Sequence, residues 1–598
     1  MTGEAKPRAF LNVERSASAR RWKARLDDQR TAEAISQRHE LPEIIGRVLA
    51  ARGVGVDDAE AFLNPTIRTL MPQPSVLQDM EKGAARLAEA IVSGEKIGVI
   101  SDYDVDGVSS AAMLALFLKA VGSSCSVHIP DRLTEGYGPS LKAVEGLKAQ
   151  GAQVLVTLDC GVMAHDPLLR AAELGLVTII VDHHQAGEIL PEAYAVINPN
   201  RQDDTSGLGY LCAAGVTMIF IAAVNKLLRL KGWYGETRPE PNMLQWLELV
   251  SLATVCDVVP LKGLNRAYVT QGLKIMARRE NLGLACLADV ARLKRKPDTY
   301  ALGYLLGPRI NAAGRIGNAA MALTLLTTQD KGEAAQIAQD LERLNRERQE
   351  IELAVVDQAM IQADNMLGKE RHGSVLVVSA KGWHPGVVGL AAARLKERFS
   401  LPSFVLAEDR DGKLASGSGR SIPGVDIGTA VRGAFEAGLI VKGGGHAMAA
   451  GLTVEKERLG DLRAFLEEKL GPQVAAGQDR ALSIDAALTA GAATLELIEL
   501  LEQAGPYGTA HPAPVFAFPA HRVLYAAPAG GDHIRCTIAS SDGKRLKAIA
   551  FRAMGTELGE LLLNEKQLAV HVAGRLTIDD WSGARVPSLH IEDVARVS

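Results

Sequence analysis

Three short hydrophobic runs, each followed directly by acidic or histidine residues, organise the first third of the chain. The runs cover residues 99–101, 154–158 and 177–181, consist mostly of Val, Ile and Leu, and each precedes a stretch with helical spacing. Strands that alternate with helices in this way predict a parallel β-sheet. Parallel strands present their carboxyl ends at one edge of the sheet, where α/β proteins bind their ligands. The residues that follow the three runs are therefore expected to lie together.

The hydrophobic pattern divides the chain into five regions. We expect a flexible basic arm over residues 1–35, an α/β domain over 36–330, a connecting helix over 331–368, a second α/β domain over 369–472 and a β-barrel over 478–598. The connecting helix is charged and free of Pro, which is typical of a long exposed helix.

Local patterns predict individual elements within these regions. Helices are expected over 109–120 and 243–254, and a strand at 374–379 opens the second domain. In the last region, alternating hydrophobic and polar residues predict strands at 515–518, 533–538, 546–551, 569–576 and 588–594. Five short strands in this length favour an OB-fold barrel.

Composition is that of a soluble globular protein, with 47% hydrophobic and 23% charged residues and a formal net charge of −4. This net charge argues against a protein that binds nucleic acid through a strongly basic overall charge, although a local basic groove is compatible with it. Six Cys without a CxxC pair argue against disulfides and structural zinc and favour a reducing cytoplasm. Each apolar stretch of membrane-spanning length is interrupted by charged or helix-breaking residues, so no membrane association is expected.

The N-terminal arm is open to three interpretations. Residues 6–25 contain seven Lys or Arg and one Glu. Transit peptides, nucleic-acid-binding arms and frayed termini all have this composition, and a frayed terminus is the most common of the three.

Acidic and histidine side chains follow all three predicted strands. They are Asp102, Asp104, Asp106, Asp159, Asp182, His183 and His184. Carboxylates gathered at one edge repel one another unless a cation lies among them, so the pattern predicts a metal site. In a regular strand only one of two adjacent His faces a given ion, whereas in a loop both can reach it.

Asp257, at the end of the predicted helix 243–254, is the best candidate for a further acidic ligand. Oxygen-rich ligands with one or two imidazoles suit Mn²⁺ or Mg²⁺ better than Zn²⁺, and His favours Mn²⁺. Two such ions about 4 Å apart would hold an attacking water and a phosphoryl oxygen, which is phosphoester hydrolysis. Cys160 and Cys256 lie beside two of the acids, and we interpret both as packing residues because thiolates prefer softer metals.

Further candidates for binding phosphate or DNA lie later in the chain. A glycine-rich turn over 443–446 offers backbone N–H groups, and the segment 416–421 adds hydroxyls and an Arg. The full set of candidates is Arg309, Asn311, Arg315, Trp383, His384, Ser418, Arg420, Gly444, Gly445 and His446. For Trp383, burial in the core is equally compatible with the sequence.

The order of these motifs resembles that of the DHH phosphoesterases. The motifs are Asp-x-Asp-x-Asp-Gly (102–107), Asp-Cys-Gly (159–161), Asp-His-His (182–184) and Cys-Asp-Val-Val-Pro (256–260). Three others, Gly-Trp-His-Pro-Gly, Ser-Gly-Arg-Ser and Gly-Gly-Gly-His-Ala-Met-Ala-Ala-Gly, are similar to those of one branch, the RecJ family of single-stranded-DNA exonucleases. The resemblance extends from about residue 40 to residue 598.

The resemblance implies a fold and an activity. The fold is a parallel-sheet DHH domain, a long connecting helix, an α/β DHH-associated domain and a C-terminal OB-fold barrel. The activity is metal-dependent 5′-to-3′ hydrolysis of single-stranded DNA to 5′-mononucleotides by a two-metal mechanism, acting in DNA repair and recombination. The cofactor would be two Mn²⁺ or Mg²⁺ ions. The protein would be a cytoplasmic monomer whose partners are single-stranded DNA and, beyond it, a single-stranded-DNA-binding protein and a helicase.

The resemblance also assigns roles to residues. The metal ligands would be Asp104, Asp106, Asp159, His183 and Asp257. His184 matches the residue that contacts the scissile phosphate, and with Asp102 it is assigned a catalytic role. Ser418 and Arg420, together with Arg309 or Arg315, match the pocket for the 5′-terminal phosphate, and His446 matches a phosphate contact.

Two other functions are compatible with the same core. A phosphodiesterase for short RNA or cyclic dinucleotides, or a pyrophosphatase, would prefer small substrates and has little use for a barrel. A non-enzymatic replication factor would keep the fold for binding, but such relatives lose metal ligands, and in this chain every acid and His is present.

Overall fold

The structure, a computed structural model, describes residues 8–132, 134–368, 373–477, 481–564, 568–579 and 584–597. These residues divide into two compact units. Unit 1 comprises Met1–Thr66, Leu261–Gly263 and Asp479–Ser598, and unit 2 comprises Ile67–Pro260 and Leu264–Gln478.

The strands of the described residues are numbered in chain order. They are β1 (Arg21–Ala24), β2 (Ile97–Ser101), β3 (Cys125–His128), β4 (Val154–Leu158), β5 (Val177–Val181), β6 (Ala195–Ile197), β7 (Leu376–Lys381), β8 (Ser403–Glu408), β9 (Leu414–Arg420), β10 (Lys442–His446), β11 (Ala449–Glu455), β12 (Ala481–Ile484), β13 (Ala486–Ala487), β14 (Phe516–Ala529), β15 (His533–Ala539), β16 (Arg545–Ala550), β17 (Ala569–Asp579) and β18 (Val586–Arg596).

The α-helices follow the same order. They are α1 (Arg30–Arg38), α2 (Glu43–Ala50), α3 (Ala59–Leu63), α4 (Ile67–Leu70), α5 (Met80–Ser93), α6 (Val105–Ala120), α7 (Leu141–Ala149), α8 (His165–Glu173), α9 (Ala213–Leu230), α10 (Leu247–Cys256), α11 (Gly263–Met276), α12 (Leu282–Val290), α13 (Gly307–Ile316), α14 (Ala320–Thr327), α15 (Lys331–Leu367), α16 (Val388–Phe399), α17 (Ile427–Glu436), α18 (Leu459–Ala476), α19 (Leu495–Gln503) and α20 (Glu557–Asn564). Short 3-10 helices lie at Phe10–Asn12, Pro74–Val76, Met243–Trp246, Lys456–Arg458 and Ala490–Ala492, and a π-helix at Ala301–Leu306.

Unit 2 contains the predicted parallel sheet, with strand order β3-β2-β4-β5-β6 and parallel pairing throughout. The three predicted strands are confirmed, and β2, β4 and β5 are neighbours, so their carboxyl ends lie side by side. All residues of β2 and β4 are buried because helices cover both faces of the sheet, as expected for central strands of hydrophobic residues.

A second sheet in unit 2 has the order β10-β11-β9-β8-β7 and mixes parallel and antiparallel pairs. The predicted connecting helix is α15, which is 37 residues long. It packs on α12, α13 and α14 near its start and on α16 and β7 near its end, so it joins the two sheet domains of unit 2.

Unit 1 contains the predicted barrel. The order β14-β15-β16-β18-β17 is closed by pairing of β14 with β17, which gives a five-stranded barrel and confirms the OB-fold expectation.

The expectation of a flexible arm over 1–35 is wrong for its described part, although residues 1–7 lie outside the described residues. β1 pairs with β12, and Trp22 is fully buried and donates its Nε1–H to Asp593 (2.9 Å). Residues 36–66, which we expected in the first α/β domain, belong to unit 1, where Ile45 and Leu49 pack with the barrel residue Phe516.

Among the described residues, one helix, α9, is long and apolar enough to cross a membrane by length and composition, and 72% of it is buried inside the protein. That burial is typical of a core helix of a globular protein.

Candidate active site

Asp104 and Asp106 are held at the junction of β2 and α6. Asp104 is the N-cap of α6, and its Oδ1 accepts hydrogen bonds from the backbone N–H groups of Asp106 (2.9 Å) and Gly107 (3.1 Å). A Cβ at position 107 would lie 2.4 Å from the carbonyl oxygen of Asp102, so this close approach requires Gly. The tight junction fixes both carboxylates at the sheet edge.

Asp106 is also tied to the start of α9. Its two carboxylate oxygens accept hydrogen bonds from the backbone N–H groups of Ala213 (2.7 Å) and Ala214 (2.8 Å). Backbone N–H groups at a helix N-terminus stabilise a negative charge, and each oxygen keeps a second lone pair for another partner.

Asp159 and Asp102 have buried oxygen atoms without a hydrogen-bond partner. Oδ1 of each side chain is in this state, and the two residues are only 2% and 5% exposed. Asp159 also has a φ of 59°, in the left-handed region that Asp and Asn tolerate better than other non-Gly residues. Orphaned buried carboxylate oxygens and an unusual backbone conformation at one point indicate a ligand-binding role.

Asp182 positions the two His. Its Oδ1 accepts hydrogen bonds from the backbone N–H groups of His183 (2.8 Å) and His184 (3.1 Å) and from Nδ1 of His184 (2.8 Å). The Tyr137 hydroxyl donates to the carbonyl oxygen of Asp159 (2.9 Å) and lies 3.1 Å from Nδ1 of His184. The ring of His184 is therefore fixed from two sides.

His183 lies at the centre of the acidic cluster. Its Nε2 is 3.3 Å from Oδ1 of Asp159 and 3.7 Å from an oxygen of each of Asp106 and Asp257. Asp257 reaches the site as the C-cap of α10. His183 therefore lies among three acids and His184 lies beside Asp182, and a ring nitrogen of each is near Oδ1 of Asp159 (3.3 and 3.8 Å).

The donor atoms form three overlapping groups whose members all lie within 4.8 Å of one another. The groups are Asp106–His183–Asp257, Asp159–His183–His184 and Asp102–Asp104–Asp159. Asp159 and His183 each belong to two groups, so the three groups form one continuous cluster of donor atoms.

Burial and mutual repulsion dominate the electrostatics of the acids. Burial raises the pKa of Asp102, Asp106, Asp159 and Asp257, and neighbouring carboxylates raise each of them further. Burial opposes ionisation of His184, but its hydrogen bond to Asp182 and the negative charges of Asp182, Asp257 and Asp106 together outweigh this and raise the pKa of His184 to about 9.

These residues fit a divalent cation. The closely spaced carboxylates and the two imidazoles are an oxygen-rich donor set suited to Mn²⁺ or Mg²⁺, and a cation among them would relieve the repulsion. Burial raises the pKa of the Cys160 and Cys256 thiols, so both stay neutral and act as packing residues.

A second cluster, of basic side chains, lies in the same unit. Arg420 and Ser418 are on β9, and a Cβ at Gly389, in the first turn of α16, would lie 3.1 Å from Nη2 of Arg420 and 3.3 Å from Oγ of Ser418. Arg315 donates from Nη1 to the carbonyl oxygen of Gly386 (3.1 Å). A helix N-terminus, a guanidinium and a hydroxyl therefore lie close together, and these are groups that can bind an anion.

Arg132 links the basic cluster to the acids. Burial and the charges of Arg132, Arg348 and Arg420 lower the pKa of Arg315 to about 10. Burial and Arg132 also lower the pKa of Arg420 and of His384, while the charge of Arg132 partly offsets the rise in the pKa of Asp102. Several guanidinium groups close to one another favour the binding of an anion such as a phosphate.

Several predicted DNA-binding residues are placed differently. Trp383 is 5% exposed and donates Nε1–H to Gln358 (2.8 Å), so a contact between its ring and a base is excluded by burial. Arg309 is ion-paired with Glu342 (2.5 Å) on α15, so Arg315 is the better candidate for a phosphate contact.

The glycine-rich segment is not the predicted turn. Gly444, Gly445 and His446 lie in the exposed edge strand β10, antiparallel to β11, and the turn falls after His446. His384 accepts a hydrogen bond from the backbone N–H of Gly386 (3.0 Å), and Asn311 lies on α13.

Sequence reasoning missed two residues of the site, Tyr137 and Arg132, and the role of a third, Asp182. Asp182 was visible as the first letter of Asp-His-His, but its role as the partner of His184 was not. Tyr137 and Arg132 lie between β3 and α7, where no periodic pattern marks them.

Comparisons with known proteins identify the domains of this chain. Three family models match: the N-terminal domain of the DHH family over residues 96–254, the DHHA1 domain over 372–471 and the RecJ OB domain over 484–593. The chain is 35% identical to the single-stranded-DNA-specific exonuclease RecJ of Salmonella typhimurium, over 93% of this chain and 96% of the relative. It is 34% identical to the Escherichia coli protein of the same name, with the same coverage.

A crystal structure of RecJ from Thermus thermophilus in complex with Mn²⁺ is similar to this fold. The TM-score is 0.77 at 27% identity, over 95% of this chain and 78% of that one. A structure of the same protein with Mg²⁺ has a TM-score of 0.71 at 25% identity, over 96% and 77% of the two chains.

Proposed function

The chain belongs to the RecJ family of single-stranded-DNA-specific exonucleases, and from this membership we propose that it hydrolyses single-stranded DNA from the 5′ end to 5′-mononucleotides. The observation that carries the proposal is the pair of clusters in unit 2, a buried acidic one and a basic one, connected through Arg132.

Mn²⁺ or Mg²⁺, most simply two ions, is the cofactor in this proposal. Asp104, Asp106, Asp159, His183 and Asp257 would hold the ions, with Asp159 and His183 shared between donor groups, and Asp102 offers its orphaned Oδ1. Bound there, the ions would supply an activated water and neutralise charge on the phosphoryl oxygens.

The protein side chains orient the substrate around that centre. Asp182 holds His184 through Nδ1, and the hydrogen bond and charge of this carboxylate favour the protonated imidazole. It can contact an oxygen of the scissile phosphate and stabilise the negative charge that develops there. Tyr137 keeps the imidazole in place.

The basic cluster supports the 5′-to-3′ polarity. Arg420, Ser418 and the N-terminus of α16 would bind the 5′-terminal phosphate, and Arg315 would contribute a further contact. An anion site near the acids would place the first phosphodiester at the reacting centre, so that the enzyme removes nucleotides from that end.

By the same family membership we propose roles in DNA repair and recombination. A single-stranded-DNA-binding protein and a helicase are the proposed partners, and the protein is proposed to act as a cytoplasmic monomer.

The test uses a long single strand labelled at either end. With Mn²⁺, the 5′ label is expected in mononucleotides at once, and EDTA or a blunt duplex should prevent its release. Asp159→Asn should abolish cleavage while strand binding persists, because it removes a ligand and leaves the basic cluster. Asp166→Asn, an exposed residue of α8, is the matched control and should cleave normally.

Each other outcome is informative. Early release from the 3′ label would refute the polarity. Cleavage of dinucleotides or pyrophosphate but not of long strands would support the small-substrate alternative. Full activity of Asp159→Asn would refute the metal assignment.

A further inference from the structure

We propose that Tyr300 and Tyr304 form a stacking platform for the bases of the single strand as it approaches the acidic cluster. This inference rests on the proposed function and extends it to residues that no motif or comparison assigns.

The two rings are stacked on each other and open to solvent. Their centroids are 5.1 Å apart with an interplanar angle of 22°, and the residues are 53% and 71% exposed. Tyr304 is the most exposed aromatic residue in the described part of the chain. A stacked pair with an open outer face resembles the aromatic surfaces on which single-stranded nucleic acids stack.

A cationic loop precedes the pair. Lys294, Arg295 and Lys296 lie next to it in sequence, and the guanidinium carbon of Arg295 is 6.0 Å from the centroid of the Tyr300 ring. Arg295 forms an ion pair with Asp298 (Nη2 to Oδ2, 3.1 Å), so the net positive charge of the loop comes from the two Lys. Aromatic faces beside cations match the bases and phosphates of a single strand, whereas an apolar protein partner would gain little from the charges.

The position of the pair connects it to the acidic cluster. Tyr304 lies on the π-helix Ala301–Leu306, a type of helix that often occurs at functional sites. The Cys256 thiol contacts the carbonyl oxygen of Leu302 (3.5 Å), and a Cβ at Gly307 would lie 2.3 Å from Sγ of Cys256.

Cys256 directly precedes Asp257, so the π-helix packs against the turn that carries this acid. Tyr300 and Tyr304 are each two residues from Leu302, so with about 3.8 Å between consecutive Cα atoms their backbone lies within roughly 20 Å of that of Asp257. A strand bound at the acids therefore reaches the platform within a few nucleotides.

The experiment compares Tyr304→Ala and Tyr300→Ala with Tyr304→Phe, using the full chain. Binding of a fluorescent single strand is measured in EDTA, so that cleavage does not interfere. Loss of one stacked base should weaken binding roughly 5- to 150-fold. Tyr304→Phe keeps the aromatic face and should bind like the unaltered protein. With Mn²⁺, KM should rise while kcat at saturation stays nearly unchanged.

Tyr194→Ala is the matched control. Tyr194 is also exposed and also has a cation over its ring, with Nζ of Lys82 4.7 Å from the centroid. Its backbone N–H donates to the carbonyl oxygen of Thr178, near the start of β5. Tyr194 therefore lies at the amino-terminal ends of the strands, whereas the acids lie at the carboxyl ends. Substitution there should leave DNA binding unaltered.

Strands with single abasic positions make the result specific to stacking. One window of positions should weaken binding to the unaltered protein and have no further effect on Tyr304→Ala. Normal binding by Tyr304→Ala, or an equal loss at every abasic position, would overturn the platform. If the unaltered protein binds strands but never cleaves them, the proposed function fails while the platform is still tested by the same binding data.

Discussion

Replacing Asp159 by Asn is expected to stabilise the protein when divalent cations are absent and to abolish its response to them. Asn tolerates the φ of 59° at this position, so the substitution removes the charge with little backbone strain. The side chain is buried, and its Oδ1 has no hydrogen-bond partner that Asn would have to replace.

The magnitude follows from the spacing of the carboxylates. One oxygen of each of Asp102, Asp104 and Asp159 lies within 4.8 Å of the others. At that distance and an effective dielectric constant of 20, two ionised carboxylates repel by about 3.5 kcal/mol. Partial protonation, which the raised pKa values of Asp102 and Asp159 indicate, reduces this repulsion. We therefore expect Asp159→Asn to raise the free energy of unfolding by about 1–3 kcal/mol.

The gain depends on pH in a defined direction. A carboxyl whose pKa is raised in the folded state retains its proton where the unfolded chain has lost it. The contribution of Asp159 to the stability of the metal-free protein is therefore greatest below the ordinary carboxyl pKa near 4 and is lost as the pH rises through the raised value. The difference between Asp159→Asn and the unaltered protein should be larger at pH 8 than at pH 5.

Urea unfolding, followed by tryptophan fluorescence in EDTA and in Mn²⁺, measures these differences. In EDTA at pH 8 the variant should unfold at a higher urea concentration than the unaltered protein, and Mn²⁺ should stabilise only the latter. Asp166→Asn should behave like the unaltered protein in both. A lower urea midpoint for Asp159→Asn in EDTA would refute the idea that repulsion dominates this cluster.

Three further substitutions test other parts of the structure. Arg420→Ala should remove the preference for a 5′-phosphate, measured as the ratio of kcat/KM for strands with and without this phosphate. An unchanged ratio would show that the 5′-phosphate is bound elsewhere. Trp383→Ala should lower the free energy of unfolding by about 3–5 kcal/mol in urea, because it empties a core position, and a purely functional defect would contradict its burial. Asp485→Ala should destabilise unit 1 by about 3–5 kcal/mol, since its buried carboxylate accepts from Arg52 (2.7 Å), and thermal melting that matches the unaltered protein would contradict this.

The parallel sheet and its acids were predictable because local patterns define them. Strands β4 and β5 begin and end where the hydrophobic runs do, and polar residues at strand ends meet at one edge whatever the helices between them. The same logic brings Asp104, Asp159 and His183 together from the sequence alone.

Long-range packing decided what local patterns could not. The glycines of β10 favour a turn by propensity, but pairing with β11 makes them a strand. Basic residues around Trp22 suggested a flexible arm, whereas β1 pairs with β12, a strand far away in the sequence that begins at Ala481. Trp383 could face DNA or the core, and only the position of Gln358 on α15 distinguishes the two.

The length of α15 has a mechanical consequence. Its 37 residues span about 55 Å as one rod, anchored by packing on one sheet domain at its start and on the other near its end. Helices bend gently and break only at particular sequence features, and this one contains no Pro. The distance between the two sheet domains at this connection is thus set by a stiff helix and not by a flexible hinge. If single-stranded DNA moves stepwise between the acidic and basic clusters, the distance between the two domains stays nearly constant. Each step then requires the DNA to slide past protein contacts whose positions do not change.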